Sequence, residues 1–306
     1  MTKNTYAVLG ATGHIGKILA ETLLKKGNRV RAIGRDKEKL KALAEKGAET
    51  FSVSFDNPAE LTKAFVGNDA VFCLIPPGYA VDDYGVFQDK VGEAIKQALT
   101  RSNIRYVLNL SSLGANEPEG TGPIKGLYRH EKRLNSIPNL NVVHLRPGFF
   151  MENLLMSLPL IKSSEKIGFP LRSDLSIPMI ATKDIGMKAA EILQALNFSG
   201  QSVFDMAGPR EWTMEEATSA IGKAIGHHQL KYAQLSFQDA EKGMLSLGLK
   251  PKMVKLMLEM YQAFNEEKIM QRERYTPEHR GKTTIEEFAK TTIAQALEAD
   301  RKKVMA

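Results

Sequence analysis

Apolar residues come in short runs along the first half of the chain, and amphipathic segments separate them. The run Tyr6-Ala7-Val8-Leu9 is followed by Ile15, Leu19 and Leu23, spaced as on one face of a helix. Lys26-Gly27-Asn28 ends that segment with glycine on the C-cap side. Val30-Arg31-Ala32-Ile33 predicts a second strand, and Asp36 is placed to cap a helix carrying Leu40, Leu43 and Ala44 as far as Gly47. Phe51, Val53 and Phe55 alternate as a third strand. Asn57-Pro58-Ala59-Glu60 joins an N-cap, a proline in the first turn and a glutamate three residues after the cap. The helix that starts there buries Leu61, Ala64 and Phe65.

Residues 71–75 are apolar at every position, the pattern of a strand covered on both faces, and Pro76-Pro77-Gly78 breaks the run. A helix through Phe87, Val91, Ala94, Ile95 and Ala98, a strand at 106–110, a helix over 124–134 and a strand at 142–145 follow. Such alternation implies an α/β fold, a Rossmann-type doubly wound parallel sheet. After about Phe149 the alternation loosens. The expected division is therefore a dinucleotide-binding domain over 1–150 and a smaller, mostly helical substrate or interaction region over 151–306. That boundary is soft, because the later region is interleaved with the sheet. Within it, residues 201–206 read as a strand, Thr213 and Glu216 as a capping box, and Asp184 as the cap of a helix through Ile185, Met187 and Ala190. Met253, Leu256, Met257, Met260, Tyr261 and Phe264 form a stripe for the core or a subunit interface, and Thr283-Thr284 opens a final helix.

Between the first strand and the first helix stands Gly10-Ala11-Thr12-Gly13-His14-Ile15-Gly16. A glycine-rich turn at this point aims backbone N–H groups at the positive end of the helix, where a pyrophosphate sits. Gly10 permits the tight turn, Gly13 a close approach of the phosphates, and Gly16 the packing of helix on strand. Thr12, His14 and Ile15 complete the phosphate-side contacts. In a doubly wound sheet ligands lie beyond the carboxyl ends of the strands, which adds Arg35, Asp56, Ile75, Pro76, Ser111, Pro147 and Phe149 as cofactor-side candidates. An NAD site usually ends its second strand with an acid. Here that tip is Gly34 followed by Arg35, a planar donor suited to a 2′-phosphate, while Asp36 suits helix capping better. The expected cofactor is NADP(H) in preference to NAD(H).

Composition narrows the function classes further. No apolar run is long enough to span a bilayer, and the first residues lack a basic-then-apolar leader, so the expectation is a cytoplasmic protein with no membrane partner. The single cysteine, Cys73, excludes an internal disulfide and reads as a buried thiol. A net charge of +7 raises nucleic acid as a partner, yet lysines and arginines are interleaved with acids, as in Lys37-Glu38-Lys39, and no basic stripe carries aromatics. No nucleic-acid binding is expected. No metal is expected either: His227 and His228 are adjacent, so they do not share a helix face, and no carboxylate or cysteine cluster joins them. His130 and His144 show no obvious partner and read as structural.

Four stretches carry a family resemblance: residues 10–16, Ser111-Ser112-Leu113-Gly114-Ala115, Leu145-Arg146-Pro147-Gly148-Phe149-Phe150-Met151-Glu152-Asn153, and Ile180-Ala181-Thr182-Lys183-Asp184-Ile185. In these the chain resembles the atypical short-chain dehydrogenase/reductases, and among them the NmrA-like family. The resemblance runs through most of the chain and is least distinctive in the last third. It implies the fold and a dinucleotide. Catalysis it implies only weakly, because that family holds both NADPH-dependent quinone reductases and redox-sensing regulators that bind dinucleotide without turnover.

In short-chain dehydrogenases a tyrosine moves the proton, a lysine four residues later lowers its pKa and holds the nicotinamide ribose, and a serine at the end of the fifth strand binds the carbonyl. Of the 8 tyrosines, Tyr128 alone has lysine at that offset, Lys132, and Ser111 ends the fifth strand. These three are the catalytic candidates, and Lys132 and Ser111 count on the cofactor side as well. The leading expectation is an NADPH-dependent oxidoreductase acting on a quinone or other apolar carbonyl compound, which enters between 76–79, 111–114 and 149–153. The alternative is a non-catalytic NADP(H) sensor that presents a surface to a regulatory protein partner. The sequence leaves the oligomeric state open.

Overall fold

The computed structural model describes residues 3–269 and 275–305. Strands β1 (Thr5–Leu9), β2 (Arg29–Gly34), β3 (Glu49–Ser52), β4 (Ala70–Leu74), β5 (Tyr106–Leu110) and β6 (Asn141–Pro147) join a seventh, Gln201–Met206, in one sheet. Its order is seventh strand, β6, β5, β4, β1, β2, β3. Adjacent strands from β3 to β6 pair in parallel. This is the doubly wound order, and the chain changes direction of winding between β1 and β4. Helices α1 (His14–Lys25), α2 (Lys37–Ala44), α3 (Pro58–Phe65), α4 (Tyr84–Arg101) and α5 (Ile124–Asn135) supply the crossovers. The alternation read from the sequence is the fold.

The core explains why. Val8, Phe72 and Val107 from neighbouring strands are fully buried, as are Leu19 and Leu23 of α1 and Val91 and Ile95 of α4. Each such side chain contributes about 1.5–3 kcal/mol over its exposed state. Asp36 accepts from the N–H groups of Glu38 and Lys39 and caps α2, as expected, and Asn57 caps α3 through those of Ala59 and Glu60. The third strand is shorter than predicted and ends at Ser52. Val53 N–H still donates to Gly34 O at 2.9 Å, but the Ser54 N–H then turns to the Glu60 carboxylate at 3.2 Å and Asn57 N–H donates to Ser54 O at 3.1 Å, so Phe55 lies in a turn.

The chain divides into two compact units that exchange segments. The first comprises Met1–Glu119, Pro123–Arg146 and Ile185–Phe204; the second comprises Gly120–Gly122, Pro147–Asp184 and Asp205–Ala306. In the second unit, short strands pair Phe149–Phe150 with Met179–Ile180, Ser176–Ile177 with Trp212–Thr213, and Lys166–Phe169 with Lys231–Gln234. Phe149 packs edge-on against Phe169 and Phe264, at 6.0 and 6.2 Å between ring centroids. Helix Met214–Ile225 starts with the expected Thr213–Glu216 capping box. In helix Pro251–Asn265, Met253, Val254, Tyr261 and Phe264 are buried, while Leu256, Met257 and Met260 are only partly so; the apolar stripe is offset from the predicted one.

Two acids in the family-like stretches have structural partners here. Glu152 accepts from the N–H and hydroxyl of Thr182, at 3.0 and 2.5 Å, at the start of helix Thr182–Ala195. Asp184 is not the cap of that helix. It lies within the first turn and accepts from Thr283 N–H at 2.8 Å and from its hydroxyl at 2.9 Å, tying down the segment before the final helices. Among the described residues no helix is long and apolar enough to cross a membrane.

Candidate functional site

The glycine turn leaves β1 at the change of winding. Gly10 has φ +72°, a backbone conformation that favours glycine, and a Cβ there would stand 3.0 Å from Leu74 of β4. A Cβ on Gly16 would overlap the Gly10 carbonyl oxygen, so the first turn of α1 and the end of β1 approach as closely as backbones can. Gly13 occupies the N-cap of α1 with no side chain capping it, and the first helical turn carries no acid. The end of the helix therefore keeps its unpaired N–H groups and partial positive charge for an anion. Thr12 is half-buried beside it, His14 is exposed, and Ile15 is buried under the turn.

Beyond β2, Arg35 is exposed with its guanidinium 5.9 Å from the Phe55 ring centroid. No carboxylate among the described residues pairs with it. Asp36 is occupied as a helix cap, so the tip of this strand offers a cation and no free acid. Asp56 accepts from Lys90 at 2.7 Å and from the Ser54 hydroxyl. The bond from Lys90, ahead of that from Ser54, holds its carboxyl below the ordinary range. Ile75 and Pro76, at the end of β4, are buried. The residues of the first unit named so far stand at the carboxyl edge of the sheet, where a doubly wound fold takes its ligand.

Ser111 follows β5 and is buried, and its hydroxyl donates to Glu131 Oε1 at 2.5 Å. Glu131 in turn accepts from Arg146 Nε at 2.9 Å and from Nη2 at 2.5 Å. The carboxylate and guanidinium side chains are only 6% and 9% exposed, so the pair survives burial by being bidentate and sharing a third partner. The consequence for Ser111 is definite. Its one proton is committed to Glu131, and only acceptor lone pairs face a ligand.

Tyr128 and Lys132 are together, with Nζ 5.5 Å from the phenol ring centroid, and both line a pocket of about 360 Å³. Ser111 does not line that pocket. The face of α5 turned toward Ser111 is that of Glu131, and four residues earlier it carries Leu127, which packs on the core. The structure thus joins the tyrosine to the lysine but gives the serine a different partner. Pro147 and Phe149 belong to the second unit, and the Phe149 ring is held in its aromatic cluster.

Sequence reading missed Glu131 and Arg146. A signal for them existed: Arg146 interrupts an apolar strand, and a buried guanidinium requires a buried acid. His144 also has partners that were not foreseen. One ring nitrogen meets Asn109 Nδ2 at 3.1 Å and the other Asn135 Oδ1 at 2.9 Å, and Asn109 accepts a 3.7 Å contact from the Cys73 thiol. Burial lowers the His144 pKa to about 4 and pushes the Cys73 thiol up. His130 is fully buried, neither ring nitrogen has a hydrogen-bond partner among the described residues, and burial, then Arg133, lowers it to about 3.

The model of the NmrA-like family matches residues 2–295. The chain belongs to the NmrA-like family. Among curated relatives, quinone oxidoreductase 2 of Escherichia coli K12 is 27% identical over 248 residues, covering 79% of this chain and 82% of that protein. NAD(P)H azoreductase of Xenophilus azovorans is 24% identical over 254 residues, 83% of this chain and 85% of that one. Two solved structures show the same fold. The Escherichia coli NADPH-dependent quinone oxidoreductase in complex with NADPH superposes with a TM-score of 0.79 at 20% identity, covering 97% and 99% of the two chains. NmrA, a negative transcriptional regulator, in complex with NADP gives 0.76 at 16% identity, covering 98% of each.

Proposed function

We propose that this protein is an NADPH-dependent reductase of a quinone or similar apolar acceptor. The observation that carries the cofactor half is an uncapped, acid-free α1 N-terminus together with Arg35 at the tip of β2, which has no carboxylate partner among the described residues. The first fits a pyrophosphate and the second a 2′-phosphate, which NADPH has and NADH lacks. Relatives that carry reductase names, for a quinone and an azo compound, support the chemical half.

Bound NADPH supplies a hydride to the acceptor. The chain's own groups bind and orient. Gly10 and Gly13 let the backbone reach the pyrophosphate, Arg35 takes the 2′-phosphate, and Ile75 and Pro76 give an apolar wall beyond β4. Ser111, with its proton held by Glu131, offers an acceptor to a hydroxyl or amide N–H of the cofactor and cannot donate to the substrate carbonyl. No protein acid is required, because a quinone reduced by hydride takes its proton from water. This reading gives Tyr128 and Lys132, which share no hydrogen bond with Ser111, no step in the hydride transfer.

The second reading, a dinucleotide sensor, is favoured by one observation: Ser111 is withdrawn from the Tyr128–Lys132 pair that would make a dehydrogenase set. A single-turnover experiment separates the two. The protein loaded with NADPH is mixed with excess quinone, and the reduced-nicotinamide absorbance is followed. A reductase loses it in one exponential phase, with hydroquinone formed in equal amount; a sensor keeps it.

A further inference from the structure

The pocket beside α5 lies wholly within the first unit and outside the proposed dinucleotide site. Its volume of about 360 Å³ admits a metabolite-sized molecule. Tyr128, Lys132 and Asn135 of α5, Asn116 of the loop after β5, and Gln201 and Ser202 of the edge strand form its walls. None of the glycine turn, Arg35, Ile75, Pro76 or Ser111 lines it.

The charge balance in this pocket identifies what it takes. At its floor Glu131 and Arg146 neutralise each other, and His144 is neutral and engaged at both nitrogens. Lys132 is left as the net charge. It is exposed, rests over the Tyr128 ring, and pairs with no carboxylate among the described residues. The hydroxyls of Tyr128 and Ser202 have no protein hydrogen-bond partner among those residues either. Gln201 donates to Asn135 O at 2.7 Å, which leaves its side-chain oxygen as an acceptor. With Ala115 and Val203 as the apolar part of the lining, one cation among amides and hydroxyls fits a small anion that has both polar and apolar groups.

We infer that this pocket binds a small hydroxylated organic acid, its carboxylate on Lys132 and the Tyr128 hydroxyl and its hydroxyl group on Gln201 and Ser202. The site is separate from the proposed reductase site and does not rest on it. The test is a titration of the full chain, labelled at its backbone amides, with sodium lactate against sodium chloride of equal ionic strength. Expected are saturable shifts at residues 116, 132, 201 and 202, with a dissociation constant on the order of millimolar. Lys132→Met and Ser202→Tyr, the second filling the pocket from an exposed strand, weaken that binding by about tenfold or more. Ser202→Tyr leaves NADPH affinity unchanged, and amide spectra away from the pocket show that both variants fold. Shifts that fail to saturate, that sodium chloride reproduces, or that persist in both variants overturn the inference. So does displacement of lactate by NADPH, or inorganic phosphate binding tighter than lactate.

Discussion

At the scale of single residues, the proposed preference for NADPH rests on charge. Among the described residues no acid pairs with Arg35, which leaves it for the proposed 2′-phosphate contact, and a charge-assisted contact of that kind contributes about 1.5–3 kcal/mol. Arg35→Ala should weaken NADPH binding by roughly 10- to 150-fold and NADH binding by no more than about twofold, measured by equilibrium titration. Equal losses would remove the arginine from the site. Tyr128 tests the source of the proton. With Ser111 bonded to Glu131 and not to the tyrosine, Tyr128→Phe should keep kcat within about twofold, whereas loss of general acid catalysis lowers it by about 10²–10⁴. Much of this level was legible from residue type and place. Gly34-Arg35 and the cap at Asp36 follow from local pattern alone. The Ser111–Glu131–Arg146 set joins a strand end, a helix and a second strand, and the helix phase that turns Glu131, not Lys132, toward Ser111 depends on packing that spacing does not encode.

At the scale of elements, the junction of β1 and α1 bears the greatest constraint. Because a Cβ on Gly16 would overlap the Gly10 carbonyl, Gly16→Ala must push helix and strand apart. The expected cost is about 1–3 kcal/mol in a denaturant melt, as for other overpacked sites, together with loss of dinucleotide binding. Unchanged stability and binding would mean that the turn is not under this constraint. Strands and helices of the sheet were legible because period and punctuation agree: Asn57-Pro58 starts a helix whichever fold surrounds it. Where a side chain captured a backbone group, the boundary moved. Glu60 bends the chain at Ser54 and cuts β3 short, and Asp184 leaves its helix end for Thr283. Both captures depend on what lies opposite, which local pattern does not contain.

At the scale of the whole molecule, buried histidines tie stability to pH. His130 has a folded pKa lowered from 6.5 to about 3, so below about pH 6.5 the unfolded chain binds a proton that the folded chain refuses. Stability present above that pH is lost as pH falls toward the folded value, by up to about 1.4 kcal/mol per pH unit from this group. His130→Leu should flatten the fall between pH 6.5 and 4.5 by about one proton, read from denaturant melts at several pH values. Parallel slopes in the two proteins would refute it. The interleaving of the two units was only partly legible: the strand at 201–206 was readable from its pattern, whereas the crossing of residues 120–122 into the second unit leaves no periodic trace. What the units serve is tested most directly by steady-state oxidation of NADPH and of NADH with one quinone in excess. An NADPH-dependent quinone reductase gives saturable turnover that scales with protein concentration and a kcat/KM about tenfold or more higher with NADPH. Tight binding of NADPH with no oxidation over a panel of quinones would contradict that function and make the protein a sensor.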